Sequence, residues 1–240
     1  MNMTSDTPQS NSNVGLVFIA GAGLDAWVWQ DTIAALGMPA LAISFKEAKA
    51  GKSLTLNEYA QVALEQINGW SDADRFVIVG HSVGGVVALQ LAGLLGDRVA
   101  GLVAVGSVVP KQGGSFFSSL PFPQKLIVPL ITRMAGTRPP NSAIKKSYCN
   151  DLSEEQATAV LQDFQPESFA LYNDKMTTPL PEVPRLYVKL LKDQELGLAP
   201  QDTMAKNLGA TVTTLETGHL PMLAKPAELA GLLRNFAASC

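Results

Sequence analysis

The chain is predicted to be an α/β protein: a doubly wound, mostly parallel sheet with an inserted helical cap. Three observations predict it. Short apolar runs alternate with helix-spaced stretches over the first hundred residues. The runs are apolar at successive positions rather than at every second one, as in strands buried on both faces of a parallel sheet. Between residues 106 and 184 this rhythm breaks, and ten of the fifteen prolines fall there, which marks an insertion rather than more sheet.

Taken in order, residues 14–20 form the first strand and end in Gly21-Ala22-Gly23. A helix pattern follows, with Trp27, Ile33 and Leu36 apolar, and Gly37-Met38-Pro39 stops it. Residues 39–45 read as the second strand and 46–53 as a small polar loop. From 55 to 70, Leu56, Tyr59, Ala60, Ala63, Leu64 and Ile67 recur at helical spacing. A strand over 75–79 leads into Gly80-His81-Ser82-Val83-Gly84, and a small-residue helix follows over 83–92. Residues 99–105 are another buried strand. Helical pieces are expected at 124–135, 142–149 and 153–164, the last opened by Ser153 and Gln156 at capping-box spacing. The sheet resumes with a strand over 184–190, a helix over 199–208, a strand over 210–215, and a helix over 226–236 with Pro226 in its first turn. The implied organisation is a core of residues 14–107 and 184–240 and a cap of residues 108–183. Residues 1–13, polar and rich in Ser, Thr and Asn, read as a disordered tail.

Composition narrows the function classes. The chain has 240 residues, 47% hydrophobic and 16% charged, with a net charge of -3. That length suffices for one sizeable core. No overall basic excess points to nucleic acid or to an anionic membrane as partner. The first residues lack the basic and apolar regions of a signal peptide, and no apolar run approaches a membrane span, so the expected location is the cytoplasm. Cys149 and Cys240 have no metal-ligand spacing, and neither a metal nor an organic cofactor is expected.

The chemistry begins at Ser82. Strand, Gly-x-Ser-x-Gly and helix together describe a nucleophile elbow, a sharp turn that exposes the serine hydroxyl at the carboxyl edge of a sheet. A serine needs a base to take its proton, and the chain has two histidines. His81 adjoins Ser82, and neighbours on a tight turn point apart, so His81 is expected to pack or line the pocket. His219 follows the last strand, at the same edge as the elbow, and is the expected base. The acid belongs in the loop after residue 190, where Asp193 comes first, with Glu195 and Asp202 as fallbacks. The other place for an acid, after the strand ending at Val105, holds Gly106-Ser107. Two backbone donors are expected for an oxyanion: Val83, after the nucleophile, and Ala22, in the Gly-rich turn after the first strand. Leu24, Phe117, Leu220 and His81 are the expected substrate-binding residues. The early part of the inserted segment is apolar, with Phe116, Phe117, Leu120, Phe122, Leu126, Ile127, Val128, Leu130, Ile131 and Met134. Most of these are expected to pack on the core, and some to roof a hydrophobic pocket.

Four blocks carry a resemblance: residues 18–29 (FIAGAGLDAWVW), 80–85 (GHSVGG), 187–193 (YVKLLKD) and 218–222 (GHLPM). They resemble the α/β-hydrolase superfamily, and within it the small serine esterases of the plant methylesterase and hydroxynitrile lyase group with their bacterial relatives. The resemblance implies an α/β-hydrolase fold with six strands, Ser82 as nucleophile, His219 as base, Asp193 as acid, and Ala22 with Val83 as oxyanion donors. Three departures stand out. The family's first block usually reads His-Gly, and Ala20 stands in place of that His. Phe45-Lys46-Glu47 replaces an Asp-x-x-Gly-type turn. Leu220 follows His219 where the lyases carry a Lys that stabilises cyanide, which favours ester hydrolysis.

The expected function is cleavage of small-to-medium hydrophobic carboxylic esters through an acyl-enzyme, with a small-molecule ester as substrate and neither nucleic acid nor a membrane as partner. The competing expectations are a thioesterase, C–C hydrolase, acyltransferase or lyase on the same triad, or a non-enzymatic receptor for a small ligand.

Overall fold

The computed structural model of the protein describes residues 13–240. Apart from Asn13, the expected disordered tail lies outside the described residues. The first half runs β1 (Val14–Ile19), a 3-10 turn (Ala26–Trp29), α1 (Gln30–Leu36), β2 (Ala40–Ala42), α2 (Lys46–Lys49), α3 (Leu56–Asn68), β3 (Arg75–His81), α4 (Gly84–Leu95) and β4 (Val99–Val105). The inserted segment holds α5 (Phe116–Ser119), α6 (Gln124–Ala135), α7 (Asn141–Ser147), α8 (Glu154–Asp163) and α9 (Phe169–Asn173). The chain ends with β5 (Arg185–Leu190), α10 (Leu198–Leu208), β6 (Thr211–Leu215), α11 (Pro221–Ala224) and α12 (Pro226–Ala237).

The six strands lie in the order β2-β1-β3-β4-β5-β6, and every pairing is parallel. Alternate residues of each strand feed two cores. Val17, Ile19, Phe76, Ile78, Leu102 and Ala104 face α3, α4 and α10. Leu16, Phe18, Val77, Val79, Val103 and Val105 face α1 and α12. Burial on both faces is why the strands read as unbroken apolar runs. The chain steps from β1 outward to β2 and then returns to β3 on the other side of β1. The loops leaving β1 and β3 therefore diverge from adjacent strand ends, Ile19 beside Gly80. Such a switch point opens a crevice at the carboxyl edge of the sheet.

Local signals explain most boundaries. Thr55 and Glu58 form a capping box on α3, and Ser153 and Gln156 form one on α8. The second strand is shorter than the sequence predicts. Its backbone still bonds to β1 through Leu16 N–H to Pro39 O and Ile43 N–H to Phe18 O. Beyond Ile43 the Ser44 N–H turns to the Gln66 side chain and the Phe45 N–H to Asp25, so pairing stops. The polar loop expected over 46–53 begins with the single turn of α2.

The inserted segment departs further. α5 and α9 are short helices without a sequence expectation. Core packing expected for the early apolar run holds for Phe117, which is buried. It does not hold for Phe122, Leu126, Ile127, Leu130, Ile131 and Met134, all of which face outward. An apolar count says how much surface a helix offers, not which way it faces, and α6 lies over a cavity rather than on the sheet.

Candidate active site

The tight turn after β3 places Ser82. Its φ of 51° is left-handed, the only positive φ on a non-glycine residue among those described. The Ser82 carbonyl accepts from Gly85 N–H at 3.1 Å, Val108 N–H at 3.0 Å and the Ser107 hydroxyl at 2.8 Å. These three bonds hold a conformation that L-residues disfavour. Two glycines let the loop after β1 reach the turn. A Cβ on Gly84 would collide with the Ala20 carbonyl oxygen, and one on Gly21 would lie 2.8 Å from the Ser82 Cβ.

His219 lies in the loop after β6 and Asp193 in the loop after β5. Neighbouring strands bring them together, and Lys192 N–H bonds Thr217 O at 2.9 Å to tie the two loops. His219 Nδ1 is 2.9 Å from Asp193 Oδ2, and neither side chain is exposed. The other Asp193 oxygen accepts the N–H groups of Glu195 at 2.8 Å and Leu196 at 3.0 Å. Burial alone would raise the Asp193 pKa, but the adjacent imidazole and these two N–H groups hold it below the usual carboxylate value. Burial alone would lower the His219 pKa, and the Asp193 carboxylate more than reverses this, so the imidazole titrates above its ordinary range. His219 Nε2 is buried and has no hydrogen-bond partner among the described residues. Of the fallback acids, Glu195 lies at the cavity wall and Asp202 pairs with Lys189 at 2.6 Å on the surface.

Ser82, Val83 and Ala22 border a cavity of about 210 Å³. Phe116, Phe117, Leu120 and Val128 supply apolar wall, and Tyr148, Phe164 and Tyr172 supply aromatic wall. Phe117 stacks on Tyr172 at 5.7 Å, and Tyr148 meets Phe164 edge to face at 5.6 Å. Tyr148 also stands edge-on to the His219 ring at 4.8 Å.

Of the four expected substrate-binding residues, Phe117 lines this cavity and the others do not. His81 is fully buried, its Nε2–H donating to the His219 carbonyl at 2.8 Å and its ring packed against Trp29 and His219. Leu220 is fully buried in the core beneath α12. Leu24 faces a separate cleft of about 370 Å³ beside Asp25, Lys46 and Lys49.

The inserted segment contributes residues that sequence reasoning missed. Glu167 Oε1 accepts the Gly23 N–H at 3.1 Å and Lys49 Nζ at 2.9 Å, and its Oε2 accepts the Tyr59 hydroxyl at 2.6 Å. Asp151 accepts the Gly218 N–H, and Asn150 donates to the Lys192 carbonyl at 3.0 Å. The segment thus grips the loops bearing Ala22, His219 and Asp193. Only the Ser153 capping signal, two residues on from Asp151, marked this region in the sequence. Among the described residues no group of three His, Cys, Asp or Glu side chains is placed to hold a metal ion, and no helix is long and apolar enough to cross a membrane.

Comparison with known proteins accords with this arrangement. The alpha/beta hydrolase family model matches residues 16–232. Methylesterase 17 of Arabidopsis thaliana is 25% identical over 255 residues, covering 93% of this chain and 91% of that protein. A probable esterase of rice, PIR7A, is 31% identical over 105 residues, a stretch spanning 40% of each protein. An extracellular alpha/beta-hydrolase from a Paenibacillus species superposes with a TM-score of 0.81 at 21% identity, covering 92% of this chain and 98% of that one. The chain belongs to the alpha/beta hydrolase family.

Proposed function

We propose that the protein is a serine esterase that cleaves small-to-medium hydrophobic carboxylic esters through an acyl-enzyme. One observation carries the reading: a serine in a left-handed elbow opens into an apolar cavity, at the same sheet edge as a buried His219–Asp193 pair whose outer nitrogen is unpartnered.

In this reading Ser82 Oγ attacks the ester carbonyl while His219 Nε2 takes its proton. Asp193 holds the Nδ1–H tautomer and stabilises the imidazolium. The N–H groups of Ala22 and Val83 receive the tetrahedral oxyanion; both residues border the cavity beside Ser82. His219 then protonates the departing alcohol. In the second half it takes a proton from water, which attacks the acyl carbonyl and releases the acid and Ser82. The aromatic and aliphatic walls favour apolar acyl or alcohol groups, and their volume limits size.

The test is labelling with a fluorophosphonate followed by peptide mass spectrometry, together with hydrolysis of p-nitrophenyl esters of increasing chain length. The reading expects an adduct on Ser82, lost in Ser82→Ala, and turnover that falls once the acyl group outgrows the cavity. An unlabelled Ser82, or full activity in Ser82→Ala, would remove the assignment.

A further inference from the structure

α6 presents different surfaces inward and outward. Val128 and Thr132 line the cavity above Ser82. On the opposite side Leu126, Ile127, Leu130, Ile131 and Met134 are 50–80% exposed, and Phe122, just before the helix, is 73% exposed. These six are most of the eight large exposed hydrophobic residues among those described, so they form a patch rather than ordinary scatter. At roughly 100° per residue the five helical positions fall within an arc of about 140°, a continuous stripe a little over two turns long.

The chain segment that carries this stripe is one-sided in charge. From Val99 to Asn150 the chain has six cations, Lys111, Lys125, Arg133, Arg138, Lys145 and Lys146, and no Asp or Glu. The rest of the chain carries twelve Lys and Arg against twenty-one Asp and Glu. The small net charge of the whole protein therefore averages a basic segment with an acidic remainder. Arg138 is spent on the carbonyls of Phe164, Leu161 and Pro139, and Lys145 on Glu154. Lys125 and Arg133 belong to α6 itself, and neither makes an ion pair among the described residues.

We propose that α6 is an interfacial helix that seats the protein on the surface of an anionic phospholipid bilayer. Its outer stripe enters the boundary between headgroups and acyl chains; Arg133, about 20° outside the stripe, reaches the lipid phosphates beside it, and Lys125, about 100° from the stripe's edge in the first turn, adds longer-range attraction to the anionic surface. A second copy of the chain fits this face less well. A two-fold contact through this stripe would bring Arg133 of each copy against the same acid-free segment of the other. Val128 and Thr132 on the same helix would place the cavity roof next to the lipid, in reach of esters dissolved there. Membrane seating does not depend on the reaction proposed above.

The test is co-sedimentation of the full-length protein with vesicles of phosphatidylcholine plus phosphatidylglycerol, and with phosphatidylcholine alone. Wild type is expected to sediment with the anionic vesicles, far less with the neutral ones, and less as salt is added. Leu130→Ser/Ile131→Ser and Lys125→Glu/Arg133→Glu are each expected to lower partitioning by about tenfold or more. Both keep the wild-type thermal melt and rate on a water-soluble ester, because none of these residues lines the cavity. Wild type that stays in solution with anionic vesicles at low salt would overturn the proposal. So would variants that partition as wild type does. A dimer in analytical ultracentrifugation that Leu130→Ser/Ile131→Ser splits would make the face an interface between copies instead.

Discussion

Glu167 Oε1 accepts the backbone N–H of Gly23 at 3.1 Å, so a carboxylate from the inserted segment holds the loop that carries Ala22. The same carboxylate bonds Lys49 and Tyr59, and it is nearly buried. Glu167→Ala leaves the Lys49 ammonium and the Tyr59 hydroxyl without this partner, at a cost of about 3 kcal/mol in stability. It also frees the loop, and a misplaced donor slows the chemical step. We expect kcat to fall about 10- to 100-fold with a smaller change in KM. Glu167→Gln keeps an acceptor for Gly23 and should recover most of kcat but not all of the stability. Steady-state kinetics and urea melts on the pair of variants separate positioning from bulk destabilisation.

Ser82 holds a left-handed conformation, and this puts reactivity and stability in opposition. Ser82→Ala and Ser82→Gly both delete the hydroxyl, and each should lower kcat by on the order of 10⁴-fold or more. Only glycine accepts φ near 51° without steric cost. Ser82→Gly should therefore unfold at higher urea than Ser82→Ala, by about 1 kcal/mol. Equal stability of the two would show that the elbow is unstrained.

The pH dependence of turnover follows from the His219–Asp193 pair. The base must be neutral to accept a proton, and Asp193 raises the pKa of His219 above 6.5 against the effect of burial. Activity should rise with pH through a midpoint above 6.5. In Asp193→Asn that support is lost, so the midpoint should move down while kcat falls by about 10⁴-fold through loss of the correct tautomer. Stability runs the other way. The raised His219 pKa contributes fully below 6.5, and that contribution is lost as pH rises through the folded-state value. The depressed Asp193 pKa contributes fully above 3.8 and is lost as pH falls through its folded-state value. A pH–rate profile set beside a pH–stability profile checks both signs.

His81 sets the acid limit. Burial, reinforced by the neighbouring His219, lowers its pKa to about 3. Below 6.5 the unfolded chain binds a proton that the native state refuses, so stability should fall by about 1.4 kcal/mol per pH unit toward pH 3. His81→Gln keeps an amide donor for the His219 carbonyl and removes the titration. Its unfolding free energy should be flatter between pH 6 and 4 than that of wild type, as read by urea melts.

What the sequence made legible depended on how local each feature is. The elbow is five contiguous residues between a strand and a helix, and the chain has only two histidines, so Ser82 and His219 stood out. Asp193 was legible because a parallel strand fixes where its loop emerges. The grip of Glu167, Asn150 and Asp151 was not. These residues reach the core loops from an irregular segment, and no period or short motif encodes a contact across more than a hundred residues. His81 was open between packing and pocket because both follow from a place beside the nucleophile, and only the hydrogen bond to the His219 carbonyl decides between them. The outer face of α6 departs from the expectation for a different reason. Apolar composition does not say which way a helix faces, and α6 spans a cavity with nothing above it among the described residues.

The pairing of β4 with β5 has a consequence for how such a protein can diversify. Leu102 lies opposite Arg185 and Val105 opposite Val188, in unbroken register across the whole insertion. The closure cost of the intervening chain grows only with the logarithm of its length, so a graft of another size would leave that register intact. A graft would need to bring two acceptors, one for the Gly23 N–H and one for the Gly218 N–H, as Glu167 and Asp151 now do. Given those two anchors, the roof is an exchangeable cassette. Substrate preference, and any surface the roof recognises, can be inherited separately from the framework beneath it.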